Sequence, residues 1–299
     1  MRRSLLLGWC SLLVMMSGGE AAHATTPIDS LERIEATGVL RVGYGDTAPF
    51  SYLDSQGNVV GYSIDICQRL AKQLQVQLGL PSLEIAYVYR TPSNRVQLLN
   101  SGDIDIECNA STNTQQRQSA QFALSHFFVS VRYVALKENG FTTLEDLAGR
   151  SVSVARGTVN VSQINQVNRE RQLNLSVVPV GTLQEAFDLV ADGRVAAFAM
   201  DDILLSTMIA ESDHPDAYAL SEEAITSIEP LGFLMQLGDD AFAAEVNKAL
   251  EHIYTSPEMP LLYERWFQQP LPGKDITLNV PMSAVLAEHF ATPREINAD

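Results

Sequence analysis

The chain has 299 residues, with 20 basic against 36 acidic side chains and a formal charge of −16. So acidic a surface serves solubility and repels a phosphate backbone, so no nucleic-acid partner is expected; the length exceeds what one core commonly organises, so two domains are. Three cysteines are too few for a disulfide scaffold. No CxxC, HExxH or GxxxxGK occurs and the five histidines are scattered, so no metal or other cofactor is expected.

In chain order, Arg2 and Arg3 precede an apolar run from Leu5 to Met16 and small residues ending in Ala22-His23-Ala24. That is the order of a secretory signal peptide, residues 1–24, cleaved after Ala24. The run is shorter than the roughly 20 residues a membrane helix needs. A lipid anchor at Cys10 competes, but bulky Trp9 stands where a small residue belongs. Export would leave Cys67 and Cys108 in an oxidising compartment, where one bridge is permitted; sequence does not say whether they meet.

Short β-like runs then alternate with amphipathic helical runs, the pattern of an α/β protein with largely parallel sheets. Residues 39–44 read as a strand and 54–58 as a turn. Ser63 is expected to cap a helix that buries Ile64, Cys67, Leu70, Ala71, Leu74 and Leu78. A strand over 83–89, a short helix capped by Ser93 and stopped at Gly102, and a strand over 104–108 follow. The nearly continuous apolar stretch 127–136 is long enough to cross from one domain to another. A second half repeats the alternation: strands over 151–155, 175–180 and 196–200, with helices opening at Gly157-Thr158 and at 184. Residues 228–236 form the return crossing, before helices over 241–254 and 261–268. Two crossings imply one lobe of residues 25–131 plus 230–299, a second of 132–229, and a ligand cleft where strand ends meet helix N-termini.

Several residues could serve such a cleft. The segment from Glu107 through Ser111 and Thr112 to Arg117 runs from a strand end through hydroxyl and amide groups to a guanidinium, a composition suited to an anion; a polar loop ending in a surface arginine is the plain alternative. Asp201, at the end of an apolar strand, could accept from an ammonium group, or could cap the next helix in place of Asp202. Gly157-Thr158 is either an anion-facing turn or an ordinary strand-to-helix turn. Arg95 sits in the first turn of its helix, where the dipole disfavours a cation and invites an anion; a surface ion pair is the alternative. The aromatics Tyr44, Phe50, Tyr52 and Tyr62 read as core residues before ligand-stacking ones, with Tyr44 and Phe50 the better candidates for the cleft.

The strings LRVGY with PFSY, GYSIDIC (61–67), SNRVQLL (93–99), GDIDIECNASTNTQQRQ (102–118), LAGRSVSVARGT (147–158), AFAMDDILL (197–205) and YERWFQQPLP resemble the periplasmic solute-binding proteins of polar-amino-acid ABC transporters, family 3, most of all the glutamate/aspartate-binding branch. The resemblance covers nearly all of the chain after residue 24. It implies a two-lobed periplasmic-binding-protein fold with a hinge of two crossing strands. It also implies a monomeric periplasmic receptor without catalytic activity, which closes on an amino acid and docks on a membrane permease with its ATPase. By the same resemblance, Arg117 would hold the ligand α-carboxylate with Thr112 and Thr158, Asp201 the α-ammonium, and Arg95 the ligand side chain.

The departures lie at the side-chain end. The loop after the first strand lacks the branch's arginine and reads Tyr44-Gly45-Asp46-Thr47. Pro92 and Ala110 replace hydroxyl residues, and Leu183 stands for a histidine. Each lost partner of a buried carboxylate costs about 1–3 kcal/mol. Arg156 is a substitute cation by position alone. The fold also hosts periplasmic enzymes such as cyclohexadienyl dehydratases, for which Glu107 and Glu185 are the nearest acids, and receptors that serve separate sensors.

Overall fold

A computed structural model describes residues 29–113 and 119–296; the signal-peptide reading and Arg117 lie outside the described residues. Asp29 accepts from the Glu32 amide at 3.0 Å and caps α1 (Ser30–Thr37), which Gly38 ends in the left-handed region. The chain continues through β1 (Val39–Tyr44), a small hairpin of β2 (Tyr52–Leu53) and β3 (Val59–Val60), α2 (Tyr62–Gln77), β4 (Glu84–Tyr89), α3 (Arg95–Asn100) and β5 (Ile106–Thr112). The hairpin turn forms where 54–58 predicts one: the Asp54 carboxylate accepts from the Gln56 and Asn58 amides. Strands β6 (Gln121–Phe122), β7 (Phe127–Val129) and β8 (Val131–Leu136) follow.

The second half supplies β9 (Ser151–Ala155), α4 (Asn160–Glu170), β10 (Ser176–Val180), α5 (Leu183–Ala191), β11 (Ala197–Asp201), α6 (Asp202–Glu211) and β12 (Tyr218–Leu220). After β13 (Glu229–Met235) come α7 (Asp240–Tyr254), α8 (Glu258–Phe267) and α9 (Ala284–Ala291).

Apart from the β2–β3 hairpin, two larger sheets divide these strands and give the molecule two lobes. The first runs β4-β1-β5-β13-β6, with β7 also paired to β13; the second runs β10-β9-β11-β8-β12. In each, strands joined by helices are parallel (β4, β1, β5; β10, β9, β11), and those bringing the chain in or out are antiparallel. The apolar run expected as one crossing strand is broken at Ser130: β7 pairs with β13 in the first sheet, and β8 with β11 and β12 in the second. The return passes between Leu220 and Glu229.

Two expected caps differ. Ser63 lies inside α2, which begins at Tyr62, because the amides of Tyr62 and Ser63 donate to the carbonyls of Pro49 and Phe50, both at 2.9 Å. The free donors of the first turn are thus met by a distant loop, and Ser63 Oγ donates instead to the Asn109 carbonyl at 3.1 Å. Gly61 is obligatory there, at φ 143° with the Phe50 carbonyl oxygen 2.1 Å from where a Cβ would stand. Ser93 likewise caps nothing: α3 begins at Arg95, and Asn94 Oδ1 accepts from the Thr91 amide.

Cys67 on the buried face of α2 is disulfide-bonded to Cys108 in β5, with Cα atoms 6.3 Å apart. Around it the first lobe packs rings: Phe50 lies among Tyr62, His126, Phe127 and Phe267, with centroids 5.2–6.1 Å apart. Each such buried side chain contributes about 1.5–3 kcal/mol of burial free energy. The second lobe packs Tyr133, Val152, Val154, Ile164, Ala197 and Ala199 on one side of its sheet.

Candidate functional site

Polar groups that would ordinarily be exposed are buried where the carboxyl ends of the two sheets face each other. On the first lobe, β5 buries Glu107, Ser111 and Thr112 together. Ser111 Oγ donates to Glu107 Oε2 at 2.7 Å and accepts from Arg95 Nη1 at 2.7 Å. Arg95 is 5% exposed, and its Nη1 also lies 3.7 Å from Glu107 Oε1. Its other amino group, Nη2, donates across the cleft to the carbonyl of Gly157, at 2.9 Å. The lobes are therefore in contact at this point. A Cβ on Gly157 would stand 2.6–2.8 Å from the Pro92 carbonyl and the Ser93 nitrogen, so only glycine permits the approach.

On the second lobe, β11 ends in Asp201, which is 1% exposed. Its Oδ1 accepts from Asn160 Nδ2 at 3.2 Å, and it makes no capping bond to α6; Asp202 Oδ1 accepts from the Ile203 amide instead. Burial first, then the nearby Glu229 and Asp202 carboxylates, push the Asp201 carboxyl up to about 7, while Asn160 and Arg95 oppose the shift. Glu229, at the start of β13, is also pushed up by burial and accepts from Gln163 Nε2 of α4 at 2.5 Å. Two acids and two amides thus meet at the hinge, and a cation placed there would satisfy them. Thr158 Oγ1 donates to the Ala155 carbonyl at 2.8 Å, fixing the turn between β9 and α4.

The remaining expected residues separate. Phe50 is fully buried in the first lobe's ring cluster, so it is a core residue and does not face the cleft. Tyr44 is half-buried, its ring edge-on to Tyr87 and Tyr89 of β4. Arg156 is exposed at the end of β9. Glu185 is committed to the start of its own helix: its carboxylate accepts from the Gly181 amide at 2.8 Å, and its amide donates to Oγ1 of the N-cap Thr182. Glu107 is a counter-ion: Arg90 Nη2 lies 2.6 Å from its Oε1.

Sequence reasoning passed over Arg90, Asn160, Gln163 and Glu229. The signal for Arg90 was Glu107, because an acid inside an apolar strand demands a buried cation. A cavity of about 190 Å³ lies between the lobes, and none of these residues lines it. Asp46, Thr47 and Ala48 of the first lobe line it, with Leu183, Thr207 and Glu211 of the second; Lys274 and Glu211 pair across it at 2.9 Å.

Residues 40–269 match the family described as bacterial extracellular solute-binding proteins, family 3. The chain is similar to an L-glutamate/L-aspartate-binding protein of Pseudomonas aeruginosa, 32% identical over 98% of this chain and 97% of that one. It is similar also to a glutamate/aspartate import solute-binding protein of Escherichia coli, 30% identical over 95% of each. Among solved structures, an ancestral arginine-binding protein bound to arginine superposes with a TM-score of 0.69 at 26% identity, covering 77% of this chain and 98% of that one.

Proposed function

The chain belongs to the bacterial extracellular solute-binding proteins of family 3, and from that premise we propose that it is the periplasmic receptor of an ABC importer for an acidic amino acid, glutamate, aspartate or a near relative. The observation that supports this most directly is the arrangement of opposed charge across the cleft, with Arg95, Ser111 and Thr112 on one wall and Asp201 with Asn160 on the other. An amino acid presents an ammonium and a carboxylate in fixed relation, and each would find a buried partner of opposite kind. In this reading Asp201 takes the ammonium, Thr112 and the Thr158 turn face the α-carboxylate together with Arg117, and Arg95 turns toward the ligand's far end. The names of the two relatives support the same ligand class.

Closure then couples binding to transport. Ligand that joins Arg95 on one lobe to Asp201 on the other stabilises the closed form, which presents one face of each lobe to a membrane permease and its ATPase. The receptor role needs no reaction at the cleft, and the two acids nearest a proton-donating role are committed elsewhere, Glu107 to Arg90 and Glu185 to its helix.

The test is calorimetric titration of the refolded, ligand-stripped mature protein with the common amino acids and with small dicarboxylates. Micromolar or tighter binding of glutamate or aspartate is expected. Failure of every amino acid to bind would sink the reading.

A further inference from the structure

Arg90 directly follows β4, and its amide donates to the Tyr44 carbonyl at 2.8 Å, carrying the β1–β4 ladder one residue further. The side chain lies over the carboxyl end of β1 and the start of β5, where Glu107 stands opposite Gly43. It is 3% exposed and reaches Glu107 at 2.6 Å. A Cβ built on Gly45 would stand 3.1 Å from the Arg90 Cζ and 2.8 Å from Asn109 Nδ2, so the guanidinium fills the space where a side chain at position 45 would begin. Asn109 Nδ2 donates to Thr47 Oγ1 at 3.2 Å, and Asp46, Thr47 and Ala48 line the cavity between the lobes. One loop thus separates Arg90 from the cavity.

The charges in this cluster do not balance. Arg90 and Arg95 share one carboxylate, Glu107. Burial draws the Arg90 guanidinium down to about 10, which leaves it charged at neutral pH. Among the described residues the next acid in reach of Arg95 is Asp201, and burial holds its carboxyl up to about 7, so at neutral pH it offsets the second guanidinium only in part; the remaining positive charge is costly away from water unless another anion joins. The Arg90 Nε is buried without a hydrogen-bond partner among the described residues, so the fork retains an unused donor. Arg156, the other candidate for a second cation, is exposed and carries none of these constraints.

We infer that Arg90 is a specificity residue of this cleft: with Arg95 it forms a doubly cationic floor, neutralised by half by Glu107, that selects a ligand whose side chain ends in an acidic group over its neutral amide. The inference rests on the amino-acid-receptor reading, and it locates the missing side-chain cation at the end of β4, beneath the glycine of the loop after β1.

Titration of L-glutamate, L-aspartate and the two corresponding amides into the wild type, Arg90→Gln, Arg90→Lys and Gly45→Ala tests it. The wild type should bind the better acid at least tenfold more tightly than its amide. Arg90→Gln should bring that ratio near one while amide affinity changes less than threefold, and Arg90→Lys should restore part of the ratio. Gly45→Ala keeps every charge but displaces the guanidinium, and should also lower the ratio. An unchanged ratio in a folded Arg90→Gln protein overturns the inference, and if that variant does not fold, an unchanged ratio in Gly45→Ala does so. A wild type that binds acids and amides alike overturns this inference alone, whereas one that binds no amino acid overturns the receptor reading with it.

Discussion

Arg95 of the first lobe and Gly157 of the second are joined by a hydrogen bond of 2.9 Å from guanidinium to carbonyl, so one side chain both lines the cleft and holds it shut. The same guanidinium meets Ser111 and approaches Glu107. Removing it therefore acts twice. Arg95→Ala is expected to weaken amino-acid binding by at least 100-fold, since a charged hydrogen bond carries about 1.5–3 kcal/mol and the closing contact is lost as well. Calorimetry reads the affinity, and small-angle scattering of the ligand-free variant should show a larger radius of gyration than the wild type.

Gly157→Ala separates those two effects, because it leaves every charge in place. Gly157 has φ 79°, and a Cβ would meet the Pro92 carbonyl at 2.6 Å, backbone that cannot turn aside. The left-handed conformation adds about 1 kcal/mol of strain for alanine. The lobes of this variant should stop short of contact, with roughly 10-fold or greater loss of affinity in titration and no loss of secondary structure by circular dichroism. Unchanged affinity would mean that closure does not bring Gly157 against Pro92 when ligand is bound.

The strands that hold this site were legible from the sequence, and β1 and β9 lie where their apolar runs place them. Strand signals are local: a short run of β-branched and apolar residues beside glycine. The starts of α2 and α3 were not: α2 begins at Tyr62, ahead of the Ser63 cap, because the Tyr62 and Ser63 amides find the carbonyls of Pro49 and Phe50 in a distant loop. Between core and cleft, Phe50 goes to the core for a related reason: an aromatic in a loop looks available until Phe127 and Phe267, far along the chain, close over it. Arg90 gave no sign of its own. Its burial is set by Glu107, 17 residues on, and by the absence of a side chain at Gly45.

The bond between Cys67 and Cys108 ties α2 to β5 one residue from Glu107. Its 41-residue separation makes a loop whose closure stabilises the native state by about 3–4 kcal/mol on the chain-entropy account. Reduction, or Cys67→Ser with Cys108→Ser, should lower the thermal midpoint by roughly 6–15 °C for a chain of this size. A scan with and without reductant checks this, and titration of the double variant should show weaker binding as well, because β5 carries Glu107, Ser111 and Thr112.

Asp201 makes binding and stability depend on pH in opposite senses. Its folded carboxyl titrates near 7 against an ordinary value of 3.8. Between those values the ligand-free native state holds more protons than the unfolded chain, so its stability is greatest at low pH and falls as pH rises toward 7. Asp201→Asn should remove that slope and raise ligand-free stability at pH 8, by on the order of 1–4 kcal/mol. An ammonium group set against Asp201 favours the charged form, so wild-type affinity should climb as pH rises from 5 to 7, by up to about tenfold per unit, and level off above 7. Titrations at pH 6 in two buffers of different ionisation enthalpy should show close to one proton released per ligand bound. Binding that is flat from pH 5 to 8 with no proton release would remove Asp201 from the ammonium site, and the variant would then keep wild-type affinity.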